Sequence, residues 1–385
     1  VNLPINEAEV SAIAQHKSPG NIIMVTLGNG DLNQGFSSVI AQVWTDDNSL
    51  PTQYPAALPP APELLELYGN WQSMYNTRLT LPKSRMKKRP TQTEHFSYQE
   101  FNALAGKLED GLNKWLISEP FIPIDRRLRE NFNRADQMRV IIQSPNPEVR
   151  KLPWHLWDFF KAYRQAEIAV SAPFSDRVAK IARPRTKIRI LSILGDNKGI
   201  NTDTDKQILS SIDAQVEFLE QPSRQELDAQ LWDEQGWDIL CFSGHSSSQM
   251  DGSSGWMNIN QVDRLTIPDL KNALSAAIER GLQMAIFNSC DGLGLASQLA
   301  DLHIPQIIVM RELVPDVVAQ EFLKNFVTAF AGGKSFYMAV REAREKLQPI
   351  EEHYPCVTWL PVICQNPAEV PPTWESLRRG EPETH

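Results

Sequence analysis

The sequence predicts an α/β protein with a mainly parallel sheet flanked by helices, preceded by a mixed α/β accessory unit. Two observations carry this. From Lys187 onward, short apolar runs alternate regularly with helical segments, the signature of βαβ units. Two of those runs, Asp238 to His245 and Ala285 to Gly294, stay apolar until they break into small and polar residues, as buried parallel strands do at their carboxyl edge.

Taken in order, residues 1–20 are polar, and Asn21 to Leu27 and Phe36 to Thr45 read as two strands joined by the turn cluster Gly28-Asn29-Gly30-Asp31. That Gly-x-Gly fails as a dinucleotide fingerprint, because position 33 is Asn and no helix pattern follows. Leu50 to Pro62 carries five prolines and reads as a loop, and Glu63 to Tyr75 reads as a helix with Leu67 and Trp71 on one face. Lys83, Arg85, Lys87, Lys88 and Arg89 form a basic loop cluster, a solvated and protease-sensitive stretch. Helices over Tyr98 to Leu116 and Ile124 to Phe132 lead to a strand at Met138 to Gln143 and another at Glu167 to Ser171. Pro184, within Arg183-Pro184-Arg185, breaks any element crossing it, which divides the chain into 1–182, 183–365 and a Pro-rich tail, 366–385.

Beyond the boundary, strands are expected at Lys187 to Leu194, Gln215 to Leu219, the run ending at His245, the Cys290 run, Gln306 to Met310 and a last strand. Helices fall between them at about 204–212, 224–232, 267–280, 295–302, 317–331 and 335–347, with a small hairpin at Asn258 to Leu265. Phe330 to Ser335 imitates a P-loop, but position 328 is Thr and a helix precedes it, so Gly332-Gly333 end that helix and Ser335 caps the next.

Composition narrows the function. A net charge of -9 and a pI near 5.4 argue against general nucleic-acid binding, which needs a basic face. Four cysteines in 385 residues make no disulfide framework, no Cys-x-x-Cys zinc spacing occurs, and His303 and His353 lack ligand-spaced partners. Cys356 and Cys364 read as a terminal strand pair. No cofactor or metal is expected, nor any membrane contact within this chain, which lacks an apolar run of about 18 residues and a signal peptide. A reducing, cytoplasmic setting follows.

Open α/β sheets bind ligands at the carboxyl edge, so a histidine on one strand tip and a cysteine on the next suggest a thiol-imidazole pair. Free cysteine often merely fills a core, and Cys241 reads that way. Cys290 differs, because Asn288, Ser289, Asp291 and Gly292 mark a strand end and tight turn.

Ser243-Gly244-His245, standing 45 residues before Cys290 in Asn288-Ser289-Cys290-Asp291-Gly292, resembles the His and Cys tips of the caspase-like peptidases, specifically the CHAT branch related to separase. Leu152-Pro153-Trp154-His155-Leu156 and Trp359-Leu360-Pro361-Val362 extend the resemblance over about residues 110–365. Ser246 stands where that family usually has glycine, and Asn-Ser-Cys-Asp-Gly replaces Gln-Ala-Cys-x-Gly.

The resemblance implies a caspase-like fold, with the accessory unit open to being a pseudo-caspase-like domain. It also implies a regulated cysteine endopeptidase in bacterial signalling or defence, latent until activated. Cys290 would be the nucleophile, His245 the proton donor, and the backbone N-H groups of Ser246 and Cys290 the oxyanion hole. Asp196, Asn288, Asp291, Arg311, Glu312 and Asp316 would border the substrate pocket, with Glu312 or Asp316 selecting a basic residue unless Arg311 neutralises Glu312. Protein or peptide substrates, an activating partner and further modules beyond this chain, membrane sensors or kinases among them, complete the expectation. Two other classes stay open: a silent caspase-like scaffold binding a peptide or protein partner, and a hydrolase of thioesters or non-peptide amides.

Overall fold

The computed structural model describes residues 20–45, 48–79, 97–173, 176–179, 185–248, 255–290 and 292–379. The basic cluster at 83–89, the breaker Pro184 and the pocket candidate Asp291 lie outside the described residues.

The chain opens with β1 (Asn21–Leu27), the two-residue β2 (Gly30–Asp31), β3 (Gly35–Thr45) and β4 (Asn48–Leu58). β4 corrects the expected loop: it pairs antiparallel with β3 through Pro55 opposite Ile40. It hangs off the side of the sheet with no other partner strand among the described residues, and proline, which cannot donate to a ladder, is tolerated on such an edge. Then follow α1 (Pro62–Leu79), α2 (Tyr98–Leu116), α3 (Ile122–Asn131), β5 (Met138–Gln143), α4 (Pro147–Lys151), α5 (Asp158–Ala162) and β6 (Ala166–Ser171). Ser97 caps α2 by accepting from the Glu100 N-H.

The C-terminal half runs β7 (Ile188–Leu194), α6 (Thr202–Ser210), β8 (Ala214–Glu220), α7 (Arg224–Leu231) and β9 (Ile239–Gly244). Next come β10 (Ser246–Ser248), β11 (Gly255–Asn258), β12 (Arg264–Thr266), α8 (Lys271–Glu279), β13 (Met284–Ser289) and α9 (Leu293–Ala300). The chain closes with β14 (Gln306–Met310), α10 (Asp316–Ala331), α11 (Phe336–Glu345), β15 (Pro361–Gln365) and α12 (Trp374–Arg379). The expected hairpin widens to a separate three-stranded sheet, β10-β11-β12. Gly332 ends α10 and Ser335 occupies the N-cap position of α11, although its side chain makes no capping bond. Cys356 lies in a left-handed turn, so only Cys364 of that pair is on a strand.

One sheet spans both halves, in the order β2-β3-β1-β5-β6-β15-β14-β13-β9-β7-β8 with β4 against β3. Strands β7, β9, β13 and β14 are buried at every position, which is why they read as mainly apolar runs without polar alternation. β15 joins the halves, antiparallel to β14 and parallel to β6.

Asp238 anchors the base of β9. Its carboxylate accepts from the Arg189 N-H at 2.7 Å and lies 3.4 Å from the Arg185 guanidinium, while its carbonyl accepts from Gln283 N-H. Burial pushes this carboxyl up to about 6, against the opposing pull of the Arg189 N-H and the two arginines. Because the folded value lies above the unfolded one, the folded chain holds a proton that the unfolded chain has released between the two. The favourable contribution is therefore present below the ordinary carboxylate range and is lost as pH rises to about 6. Asp238→Asn is expected to remove this loss, roughly 2 to 3 kcal/mol, so that its melting temperature gains on wild type from pH 4 to 6. Parallel melting curves for the two proteins across that range contradict it.

Candidate functional site

β9 and β13 run parallel, with Gly244 opposite Ser289. The next residue on each strand is His245 and Cys290, so the two side chains leave the carboxyl edge from adjacent strands, ~4.8 Å apart at the backbone. Gly244 permits this crowding: a Cβ there would sit 2.9 Å from Phe242 Cζ and 3.2 Å from Gly195 Cα. Gly292 does the same on the cysteine side, where a Cβ would meet Val309 Cβ at 2.9 Å.

His245 is 5% exposed, and its Nε2 lies 3.0 Å from the Lys198 carbonyl. A carbonyl can only accept, so Nε2 carries a proton and Nδ1 is left as the nitrogen that can take one up. The Lys198 loop is itself shaped by Asp196, whose carboxylate accepts from the Lys198 N-H at 3.2 Å. Asp196 is fully buried, so its place is beneath the loop that holds His245.

Cys290 is 1% exposed. Its sulfur accepts from the Val314 N-H at 3.4 Å and faces the Val314 carbonyl at 3.7 Å. The segment covering it is the loop from Arg311 to Pro315, between β14 and α10. α1 holds that loop: Tyr68 and Gln72 each donate to Glu312 Oε1 at 2.8 Å, and Tyr75 donates to the Leu313 carbonyl at 3.0 Å. Positions 68, 72 and 75 share one helix face. Burial first, then the Glu312 carboxylate, push the Tyr68 phenol well above its usual value, so it remains a donor. Arg311 donates to the carbonyls of Trp359 and Lys151 and also stands beside the Tyr68 hydroxyl, where its charge opposes the rise of the phenol.

Ser246 has a side-chain role: its hydroxyl donates to the Cys290 carbonyl and meets the Ser289 hydroxyl at 2.7 Å, tying the histidine side to the cysteine side. Asn288 is fully buried and points its amide inward, donating to Asp205 Oδ1 at 2.7 Å. Ser243 donates to the same oxygen at 3.0 Å. Asp316 stands at the start of α10, accepting from the Asn201 N-H at 3.0 Å and from Gln320.

Asp205, Tyr68, Gln72, Tyr75 and the Lys198 carbonyl escaped the sequence reading. Thr202-Asp203-Thr204-Asp205 looks like an ordinary acidic first turn of a helix. The α1 residues lie about 240 positions from the loop they grip, beyond any local signal. Among the described residues no group of three or more His, Cys, Asp or Glu could hold a metal ion.

The CHAT domain family model matches residues 111–366. No curated protein sequence matches the chain. Among solved structures, the separase-securin complex of Saccharomyces cerevisiae matches at 10% identity and a TM-score of 0.44, over 91% of this chain and 30% of that one. The chain thus spans less than a third of the separase chain's length. RgpB pro- and mature domains of Porphyromonas gingivalis match at 8% identity and a TM-score of 0.40, over 80% of this chain and 78% of that one. Caspase-1 from Spodoptera frugiperda matches at 9% identity and a TM-score of 0.32, over 50% of this chain and 96% of that one. A match that begins within α2, crosses both halves of the sheet and ends just past β15 covers most of the molecule, and by it the chain belongs to the CHAT domain family.

Proposed function

We propose that this chain is a cysteine endopeptidase, with Cys290 as nucleophile and His245 as general acid and base, latent in the closed conformation. The observation that carries the reading is the His245 imidazole, fixed through Nε2 on the Lys198 carbonyl at the end of the strand beside that of Cys290, with no hydrogen-bond contact of Nδ1 among the described residues. His245 takes the Cys290 thiol proton at Nδ1, the thiolate attacks the scissile carbonyl carbon, and the imidazolium passes that proton to the departing amine. A water then attacks the thioester as His245 takes one of its protons, and collapse releases the carboxylic acid and the Cys290 thiolate, which His245 reprotonates to the thiol. The N-H groups of Cys290 and Ser246 serve the oxyanion.

We assign the acid that selects a basic residue before the scissile bond to Glu312 or Asp316. In the closed conformation Glu312 is engaged by α1, so its service requires the loop to shift. Residues 183–365 would form the peptidase unit and 1–182 the accessory one, acting on a protein substrate in a signalling setting. Among the described residues no disulfide joins any of the four cysteines, in keeping with the reducing, cytoplasmic compartment we assign. Among the described residues no helix is long and apolar enough to cross a membrane.

The covered thiol is the observation that favours the second reading, a silent scaffold binding a peptide or protein. Incubating wild type, His245→Ala and Cys290→Ala with a mixed-peptide library and an alkylating probe separates the readings by mass spectrometry. Cleavage by wild type that is lost in both variants is the expected result. Probe labelling at Cys290 without cleavage points to a hydrolase of other acyl groups or to a still-latent enzyme; neither labelling nor cleavage leaves the scaffold.

A further inference from the structure

Asp205 is the only carboxylate that the described contacts place across both reactive strands. It is 0% exposed, on the first turn of α6, and its Oδ1 accepts from Ser243 on β9 and from Asn288 on β13. Each donor stands two residues before a strand tip, Ser243 before His245 and Asn288 before Cys290, and the two donors are opposite one another in the register. Both donors lie near the ends of their strands, so one oxygen gathers β9 and β13 together just below the residues that follow them.

Burying a carboxylate is costly unless it is well paired. Here the two side-chain donors and the positive end of the α6 dipole offset that cost. A serine and an asparagine, themselves fully buried, are committed to the same oxygen. Replacing all three by apolar residues would fill the space at less expense, whereas directional hydrogen bonds to one oxygen fix one geometry where apolar packing permits several.

We propose that Asp205 is a positioning residue for the His245-Cys290 pair: by clamping Ser243 to Asn288 it holds the ends of β9 and β13 level, so that the imidazole and the thiol meet. The proposal rests on the reading of that pair as the reacting groups. The clamp needs an acceptor oxygen and not a negative charge, since both bonds go to one atom.

The test is the rate of Cys290 alkylation by iodoacetamide as a function of pH, followed by mass spectrometry of the Cys290 peptide, with melting temperature recorded alongside. The proteins are wild type, His245→Ala, Asp205→Ala, Asp205→Asn, Ser243→Ala and the double variant Asp205→Ala/His245→Ala. Asp205→Ala is expected to slow labelling at neutral pH by about tenfold and to shift the profile toward that of His245→Ala, because small misplacements of reacting groups have effects of this size. Asp205→Asn, which keeps the oxygen, should stay near the wild-type profile, and Ser243→Ala should fall between. In the His245→Ala background the Asp205 substitution should change nothing further.

An unchanged Asp205→Ala profile beside a displaced His245→Ala profile overturns the proposal and leaves the pair intact. The same loss with and without His245 also overturns it, since that is general loosening of the fold. Identical profiles for wild type and His245→Ala remove the underlying reading, and the proposal with it. Should Asp205→Ala fail to fold, Ser243→Ala against wild type decides the question by the same criteria.

Discussion

Tyr68→Phe combined with Gln72→Leu is expected to raise the alkylation rate of Cys290 by roughly ten- to a hundredfold. In the closed conformation the thiol is covered by Val314, and the loop bearing Val314 is held through Glu312. Removing both donors leaves a buried carboxylate short of two partners, at about 1.5 to 3 kcal/mol each for bonds to a charged group. Glu312 is relieved of that cost by turning out to water, which it can do only if the loop moves, and each 1.4 kcal/mol of relief multiplies the open population by about ten. Tyr75→Phe, which loses a bond to a neutral carbonyl, should have a smaller effect. Labelling rates unchanged in a protein that melts like wild type would show that α1 does not control access to the thiol.

Glu167→Ala is expected to destabilise the protein by about 3 to 5 kcal/mol, read as a lowered urea midpoint, because it leaves a buried charge uncompensated. Glu167 on β6 pairs with Arg344 on α11 at 2.7 Å, both side chains nearly enclosed. Arg341 lies in the same layer, bonded to the carbonyls of Ala166 and Phe160 and paired with the more exposed Glu345 at 3.0 Å, so Glu167 is the enclosed carboxylate of the group. His155 shows the local excess of positive charge: burial first, then Arg344, Arg311 and Arg341, hold its imidazole well below the usual range. The double variant Glu167→Leu/Arg344→Leu should recover much of the loss, since an apolar pair of similar volume removes both charges together. A single-variant loss under about 1 kcal/mol would place the pair among the weak surface kind.

Much of the site could be read before any coordinates. Continuous apolar runs ending in Ser243-Gly244-His245 and Asn288-Ser289-Cys290 mark buried parallel strands by composition alone, and β9 and β13 fall where those runs are. β4 was hidden because Pro51 and Pro55 signal a loop everywhere except on a sheet edge, and sequence does not say which strand is an edge. The Lys198 carbonyl was hidden because a backbone oxygen has no residue type. Asp205 and the α1 grip on Glu312 were hidden for a third reason: buried partners far apart in the chain are chosen by packing, and a tyrosine or aspartate on a helix carries no mark of whom it will meet.

β15 has a consequence for how the molecule comes into being. It is the last strand among the described residues, yet it is inserted in the middle of the sheet between β14 and β6. As the chain emerges from the ribosome, β6 and β14 must wait with open edges until Pro361–Gln365 arrives, and open edges invite pairing with other chains. Residues from the two halves, separated by nearly two hundred positions, become neighbours only then. Joining is therefore a late and slow event set by long-range contacts. Before it, the first half cannot be locked against the second, and Arg311 cannot complete its bonds to Lys151 and Trp359. The nascent chain is thus expected to acquire a covered thiol only after synthesis has passed Pro361–Gln365.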